Sequence, residues 1–140
     1  MATITFNGID DIRQRIDKLG SKTDELVDKM LIAGGYAAKE QFKYHAENYG
    51  HVLTGSMRDK IGYSSPKSTG EERYTEVYPR GTDRKKTSNA LKGYVLNYGS
   101  NLRGIDPSHW FTYGAIAAEP KVESEMRRVF EENIDKIMED

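Results

Sequence analysis

The chain has no cysteine in its 140 residues. Disulfides, thiolate metal sites and thiol nucleophiles are thereby excluded, and an intracellular or virion setting suits it better than that of a small secreted scaffold. Long apolar runs are also missing: none approaches the roughly 20 residues of a membrane span. The start, MATITFNGID, lacks the charged-then-apolar order of a signal peptide, so a soluble, untargeted protein is expected. Charge of one sign is absent as well. With 21 basic and 22 acidic residues the formal net charge is −1, and no global field steers the chain toward nucleic acid or an anionic membrane. Apolar residues are scarce, at 36% against 31% charged, and mean hydropathy is −0.76. A single domain of this length buries roughly two-thirds of the surface its unfolded chain exposes, so either the core is small or a partner completes part of the surface; the second reading is favoured.

Constellations that carry chemistry are missing too. The three histidines are His45, His51 and His109, and no two share the i,i+4 spacing that builds a metal site on a helix face. Ser56 follows Gly55, but LTGSM is not the nucleophile elbow of a hydrolase. The pairs Glu71-Glu72 and Glu131-Glu132 lie in polar stretches, where solvated surface is the plain reading. No catalytic residue, metal ligand or cofactor is assigned.

What the sequence does hold is an ordered series of elements. Thr3 to Phe6 alternates polar and apolar positions before Asn7-Gly8, which predicts a short strand. Ile9, Ile12, Ile16 and Leu19 then recur at helical spacing up to Gly20. Thr23 is the expected N-cap of a second, long helix that runs to about Asn48 and ends at Tyr49-Gly50. In its middle Gly34 and Gly35 sacrifice roughly 1 kcal/mol each of helix propensity, which predicts close packing of another backbone. Residues 56–64 read as a strand with one exposed face, and 73–78 as its partner in a long hairpin ended by Pro79. Two mobile loops are expected, about 64–72 and 79–87. Ser88 is the predicted N-cap of a short helix whose apolar stripe, Leu91, Tyr94, Val95 and Tyr98, should pack into the domain and end at Gly99. An irregular aromatic loop follows, and Pro120 should open a last helix striped with Val122, Met126, Val129, Phe130, Ile134 and Ile137. Residues 1–140 are therefore expected to form one α+β domain: a small antiparallel sheet with a long hairpin, packed against a long N-terminal helix and a C-terminal helix.

Two groups stand out as candidate surfaces. Arg80, Arg84, Lys85 and Lys86 form a basic loop near Lys92 and Arg103. It invites a phosphate-contact reading, and hence an alternative function as a small nucleic-acid-binding module; with Asp83 inside it, a solvated loop is the plainer reading. Trp110, Phe111 and Tyr113 sit beside Pro107, His109 and Gly114. They are candidates for subunit or partner contact, since Trp and Tyr anchor interfaces, and core packing is the competing reading.

Four blocks in order resemble the tail-completion, or head-to-tail joining, proteins of long-tailed bacteriophages, a gene-product-ten-like neck family. They are ITFNGIDDIRQRIDKL; a long helix before LTGSMRDKI, with Leu53, Thr54, Gly55, Ser56 and Arg58; NALKGYVLNYGS, with Asn89, Ala90, Asn97, Tyr98 and Gly99; and an aromatic segment leading into the last helix. Asn97 stands where that family commonly has an acidic residue, and SHWFTYGA replaces its shorter proline-aromatic entry. The resemblance implies a non-enzymatic virion or prophage component, assembled in the bacterial cytoplasm as a homo-oligomeric ring. That ring, a hexamer, would sit in the neck between portal-side connector proteins and tail-tube or terminator proteins, with DNA passing through it. It implies no cofactor and no membrane.

Overall fold

The computed structural model describes residues 22–52, 55–70 and 72–139. The strand and helix expected over residues 3–19, and the motif positions Leu53 and Thr54, lie outside the described residues. The architecture is α+β as expected, two long helices and a small antiparallel hairpin.

Helix α1 spans Thr23–Asn48. Leu26, Met30, Gly34, Ala38 and Phe42 recur every four residues and are all buried, so one stripe seeks a core. Asp24 and Glu25 occupy its first turn, where acidic groups complement the helix dipole. Thr23 is not the cap: it is already helical, and Lys22 precedes it without a side-chain cap bond.

Helix α2, Ser56–Asp59, and strands β1, Ile61–Tyr63, and β4, Val77–Pro79, replace the simple strand pair expected over 56–64 and 73–78. Gly55 adopts φ 75° and sends the chain into a single helical turn, in which the Asp59 and Lys60 amides donate to the Gly55 and Ser56 carbonyls. Met57 and Ile61 are both buried. Four residues apart, they satisfy a helical turn as well as they satisfy alternation, which is why a strand could be read there.

The hairpin itself is long and broken in two. Strand β1 pairs antiparallel with β4, Ile61 opposite Pro79, and strand β2, Lys67–Thr69, pairs with β3, Glu72–Tyr74, Lys67 opposite Tyr74. Between the ladders the register slips by one residue, three positions (64–66) facing two (75–76). Pro66 has no N–H to give to a ladder, and Ser64 bridges the break: its amide donates to the Glu76 carbonyl and its Oγ accepts from the Glu76 amide. The expected loop 64–72 is thus largely an exposed β-ribbon. Arg73 ties it back to α1 through a bidentate pair with Asp28, at 2.9 and 2.8 Å.

Helix α3, Asn89–Tyr98, starts where expected, with Ser88 Oγ accepting the Leu91 amide at 3.2 Å. Helix α4, Trp110–Glu139, starts earlier than expected. Trp110, Phe111 and Tyr113 form its first turn, and Pro120 is interior to it. The hydrogen bond that a mid-helix proline forfeits would have gone to the Ile116 carbonyl, and the break falls on the exposed side of the helix, where Ile116 and Pro120 lie. Val122, Met126, Val129 and Phe130 are buried as the stripe predicts.

The two long helices pack where each omits a side chain. A Cβ at Gly34 would stand 2.9 Å from Val122 Cγ1, and one at Gly114 would stand 2.7 Å from Phe42 Cδ1. Side chains, not backbone, fill the space that the glycines leave. Phe42 has no exposed surface and stacks on Phe111 at 4.0 Å, so it cannot withdraw. Gly114→Ala is therefore expected to destabilise by about 1 kcal/mol net, an overpacking cost of about 1–3 kcal/mol set against about 1 kcal/mol of helix propensity gained; chemical denaturation measures it, and a stabilised variant contradicts the packing.

Candidate interaction surface

Helix α3 turns its polar face inward. Its buried residues are Asn89, Gly93 and Asn97, at i, i+4 and i+8, and both asparagines are satisfied. Asn89 Nδ2 donates to the Arg80 carbonyl at 2.9 Å, and its Oδ1 accepts from Ser56 Oγ at 3.4 Å. Asn97 Oδ1 accepts the Phe111 and Thr112 amides at 3.0 and 3.1 Å, while its Nδ2 donates to Thr112 Oγ1 at 3.1 Å. Two of the amides that the first turn of α4 leaves without helical partners are thus capped from another helix. Gly93 lends its carbonyl to Trp110 Nε1–H at 3.1 Å.

The apolar stripe consequently faces water. Leu91 is 51% exposed, Tyr94 58% and Tyr98 59%, which corrects the expectation that these residues pack into the domain. The Tyr94 and Tyr98 rings lie 4.7 Å apart, and Leu102, just beyond the helix, is fully exposed. Gly99 closes α3 as predicted: at φ 81° its missing Cβ would meet the Ile105 carbonyl at 2.8 Å.

The three aromatic candidates separate. Trp110 has no exposed surface; its ring is core, so its side chain offers nothing to a partner. Phe111 is half-buried against Phe42. Only Tyr113, 49% exposed, faces outward, beside Tyr49 at 6.5 Å and His109 at 6.2 Å. Elsewhere a groove of about 870 Å³ runs between α1 and α4, bordered by Ile32, Tyr36, Tyr44 and Pro120. Nothing in the sequence flagged it, although Ile32, Tyr36 and Tyr44 fall off the buried stripe of α1. Of the remaining motif positions, Arg58 pairs with Glu47 and Asp59, and Ala90 is exposed.

The loop expected to be mobile over 79–87 is built around Asp83. Asp83 Oδ1 accepts the Lys85 and Thr87 amides at 2.8 and 2.9 Å, its backbone exchanges bonds with Lys86 and Thr87, and Thr82 bridges Ser88. Lys92 donates to Asp83 Oδ2. This pairing, with the two amides, holds the Asp83 carboxyl below the usual carboxylate range. Lys86 sits at φ 63°, a left-handed conformation that costs an L-residue about 1 kcal/mol or more and that glycine adopts freely. Arg80 is occupied: it donates to the Tyr63 carbonyl at 2.9 Å and lies over the Tyr78 ring. Arg84, Lys85 and Lys86 are exposed.

Among the described residues, the hydroxyl that meets a histidine ring is that of Ser108. Ser108 Oγ gives its proton to the Leu96 carbonyl at 2.7 Å, so the 2.9 Å contact with His51 Nε2 has the imidazole as donor. Ser108 is thus a buttress between loop and helix, without a base. Among the described residues no cluster of histidine and carboxylate side chains is arranged to hold a metal ion. The chain matches no protein-family model, no curated protein and no solved structure. What the fold and the surface define together is an α+β domain with an apolar helix face directed outward.

Trp110→Ala is expected to cost about 3–5 kcal/mol of folding stability, the range for emptying a buried aromatic site, and Trp110→Phe less; a loss under about 1 kcal/mol by denaturation would place the ring outside the core. Burial lowers the His51 pKa from its ordinary value. The folded state thus favours the neutral imidazole, and that contribution, complete above pH of about 6.5, is lost as pH falls through the lowered value. Thermal denaturation between pH 7.5 and 5.5 should show falling stability, and His51→Gln should flatten the slope; an unchanged slope removes His51 as its source.

Proposed function

We propose that this chain is a non-catalytic assembly protein of a long-tailed bacteriophage or prophage, forming a ring of six copies in the neck between portal-side connector proteins and tail-tube or terminator proteins. The ordered motif resemblance supports the setting. The observation that carries self-assembly is the outward stripe of Leu91, Tyr94 and Tyr98, continued by Leu102. Exposed apolar surface of this kind marks interaction sites, and tyrosine anchors them. A closed ring requires two different faces on each subunit, one fitting the other head to tail. The α3 ridge is one such face, and the groove bordered by Ile32, Tyr36 and Tyr44 is a second, concave one. The lean composition agrees: a subunit that completes its burial on a neighbour needs less core of its own.

Size-exclusion chromatography with light scattering tests the reading. The wild-type chain, alone or with its connector and tail partners, is expected to run as a closed oligomer. Tyr94→Ala with Tyr98→Ala should run as a monomer, with stability changed by no more than about 0.5 kcal/mol, as exposed positions allow. Tyr36→Glu in the groove should do the same. An equimolar mixture of these two variants retains one intact ridge and one intact groove, so it should stop at heterodimers. A wild-type chain that stays monomeric and binds neither partner contradicts the assembly role; a ring unaffected by the α3 variant contradicts the assigned face.

A further inference from the structure

We infer that the turn carrying Arg84, Lys85 and Lys86 is a contact surface for the phosphate backbone of duplex nucleic acid, recognised by charge and not by sequence. It holds for the single chain and does not depend on ring formation. Three successive cations are exposed on the turn, and among the described residues no ion pair involves any of them. The one acid in the turn is spent inward: Asp83 holds the Lys85 and Thr87 amides and is neutralised by Lys92. The tip therefore presents three positive charges that no described residue compensates, on a protein whose formal net charge is −1.

Two further features favour a designed presentation over incidental solubility. The turn is ordered, closed by the Thr82–Ser88 bridge and an Asp83–Lys86 backbone bond, so little side-chain support has to form on binding. And Lys86 occupies a left-handed position, φ 63°, where glycine would relieve the backbone; a lysine there retains a charge at the expense of local stability. A nucleic acid is favoured over a membrane because the turn itself, residues 81–87, GTDRKKT, contains no apolar side chain to enter a lipid interface, and vesicle binding is the arm of the test that separates the two. No group on the turn is set up to read base edges, so lysine and arginine contacts give affinity without sequence preference.

Fluorescence anisotropy of a labelled 30-base-pair duplex, titrated with the full chain, tests this. Binding is expected at low salt and for any sequence; three phosphate contacts predict about a 40-fold loss of affinity between 50 and 200 mM salt. Arg84→Gln/Lys85→Gln/Lys86→Gln should abolish the salt-dependent binding while leaving circular dichroism and Tm unchanged. Lys29→Gln/Lys43→Gln/Lys136→Gln, of equal net charge, should bind like wild type. Lys86→Gly alone should raise Tm and weaken binding. The inference is overturned if wild type gives no shift at low salt, if the two triple variants bind alike, or if the chain binds phosphatidylglycerol vesicles and not the duplex.

Discussion

The hydrogen bonds that Asn97 makes to the start of α4 decide the arrangement of this protein's outer surface. Its Oδ1 takes two amides of the first turn of α4, and its Nδ2 reaches Thr112. Asn97 is buried, and its side-chain amide left without partners would cost on the order of 1–3 kcal/mol, so α3 cannot rotate to bury its apolar stripe without breaking these bonds. Trp110 locks the same junction from below, its indole N–H on the Gly93 carbonyl. The inner face of α3 is thus committed to two asparagines and a glycine, with Leu96 packed beside them against the core. Leu91, Tyr94 and Tyr98 are left to the solvent side as a consequence of what holds the helix in place.

The rest of the molecule is a frame for that junction. Helices α1 and α4 pack through Gly34 and Gly114, and Phe42 stacks on Phe111 in nearly parallel planes. The β1–β4 ladder lies against α1, and the turn after β4 is held by Asp83 and delivers the chain to Ser88, the cap of α3. Ridge and cationic turn are therefore neighbours along one continuous segment, both positioned by rigid elements. The proposed assembly face and the proposed phosphate face are compatible, because one is apolar and lies on the helix, while the other is charged and lies before it.

Much of the frame was legible in the sequence. The apolar stripes of α1 and α4 follow 3.6-residue periodicity over long stretches, and Ser88 and Gly99 announce α3 by the chemistry of caps. Periodicity says which residues share a face, however, not which way that face points. In α3 the stripe is legible and its direction is the reverse of the expected one, because Asn89 and Asn97 are buried on hydrogen-bond partners; the i, i+4, i+8 spacing of Asn89, Gly93 and Asn97 is the signal. Trp110 was separable from Tyr113 only through a helix that begins at Trp110, and with Pro120 inside α4 the proline pointed to the wrong start. The hydrogen bonding of the turn at Asp83 was equally hidden: nothing in a run of cations and a glycine announces that the single aspartate binds two amides.

The central claim is that the outward tyrosines of α3 are covered by another copy of the chain. Hydroxyl-radical footprinting read by mass spectrometry, at protein concentrations spanning the association transition, tests it most directly. Oxidation of Tyr94 and Tyr98 is expected to fall several-fold in the associated form, while oxidation of Tyr74, on the β2–β3 ribbon and outside both proposed faces, stays constant. Equal oxidation of Tyr94 and Tyr98 in the monomer and the oligomer would contradict it.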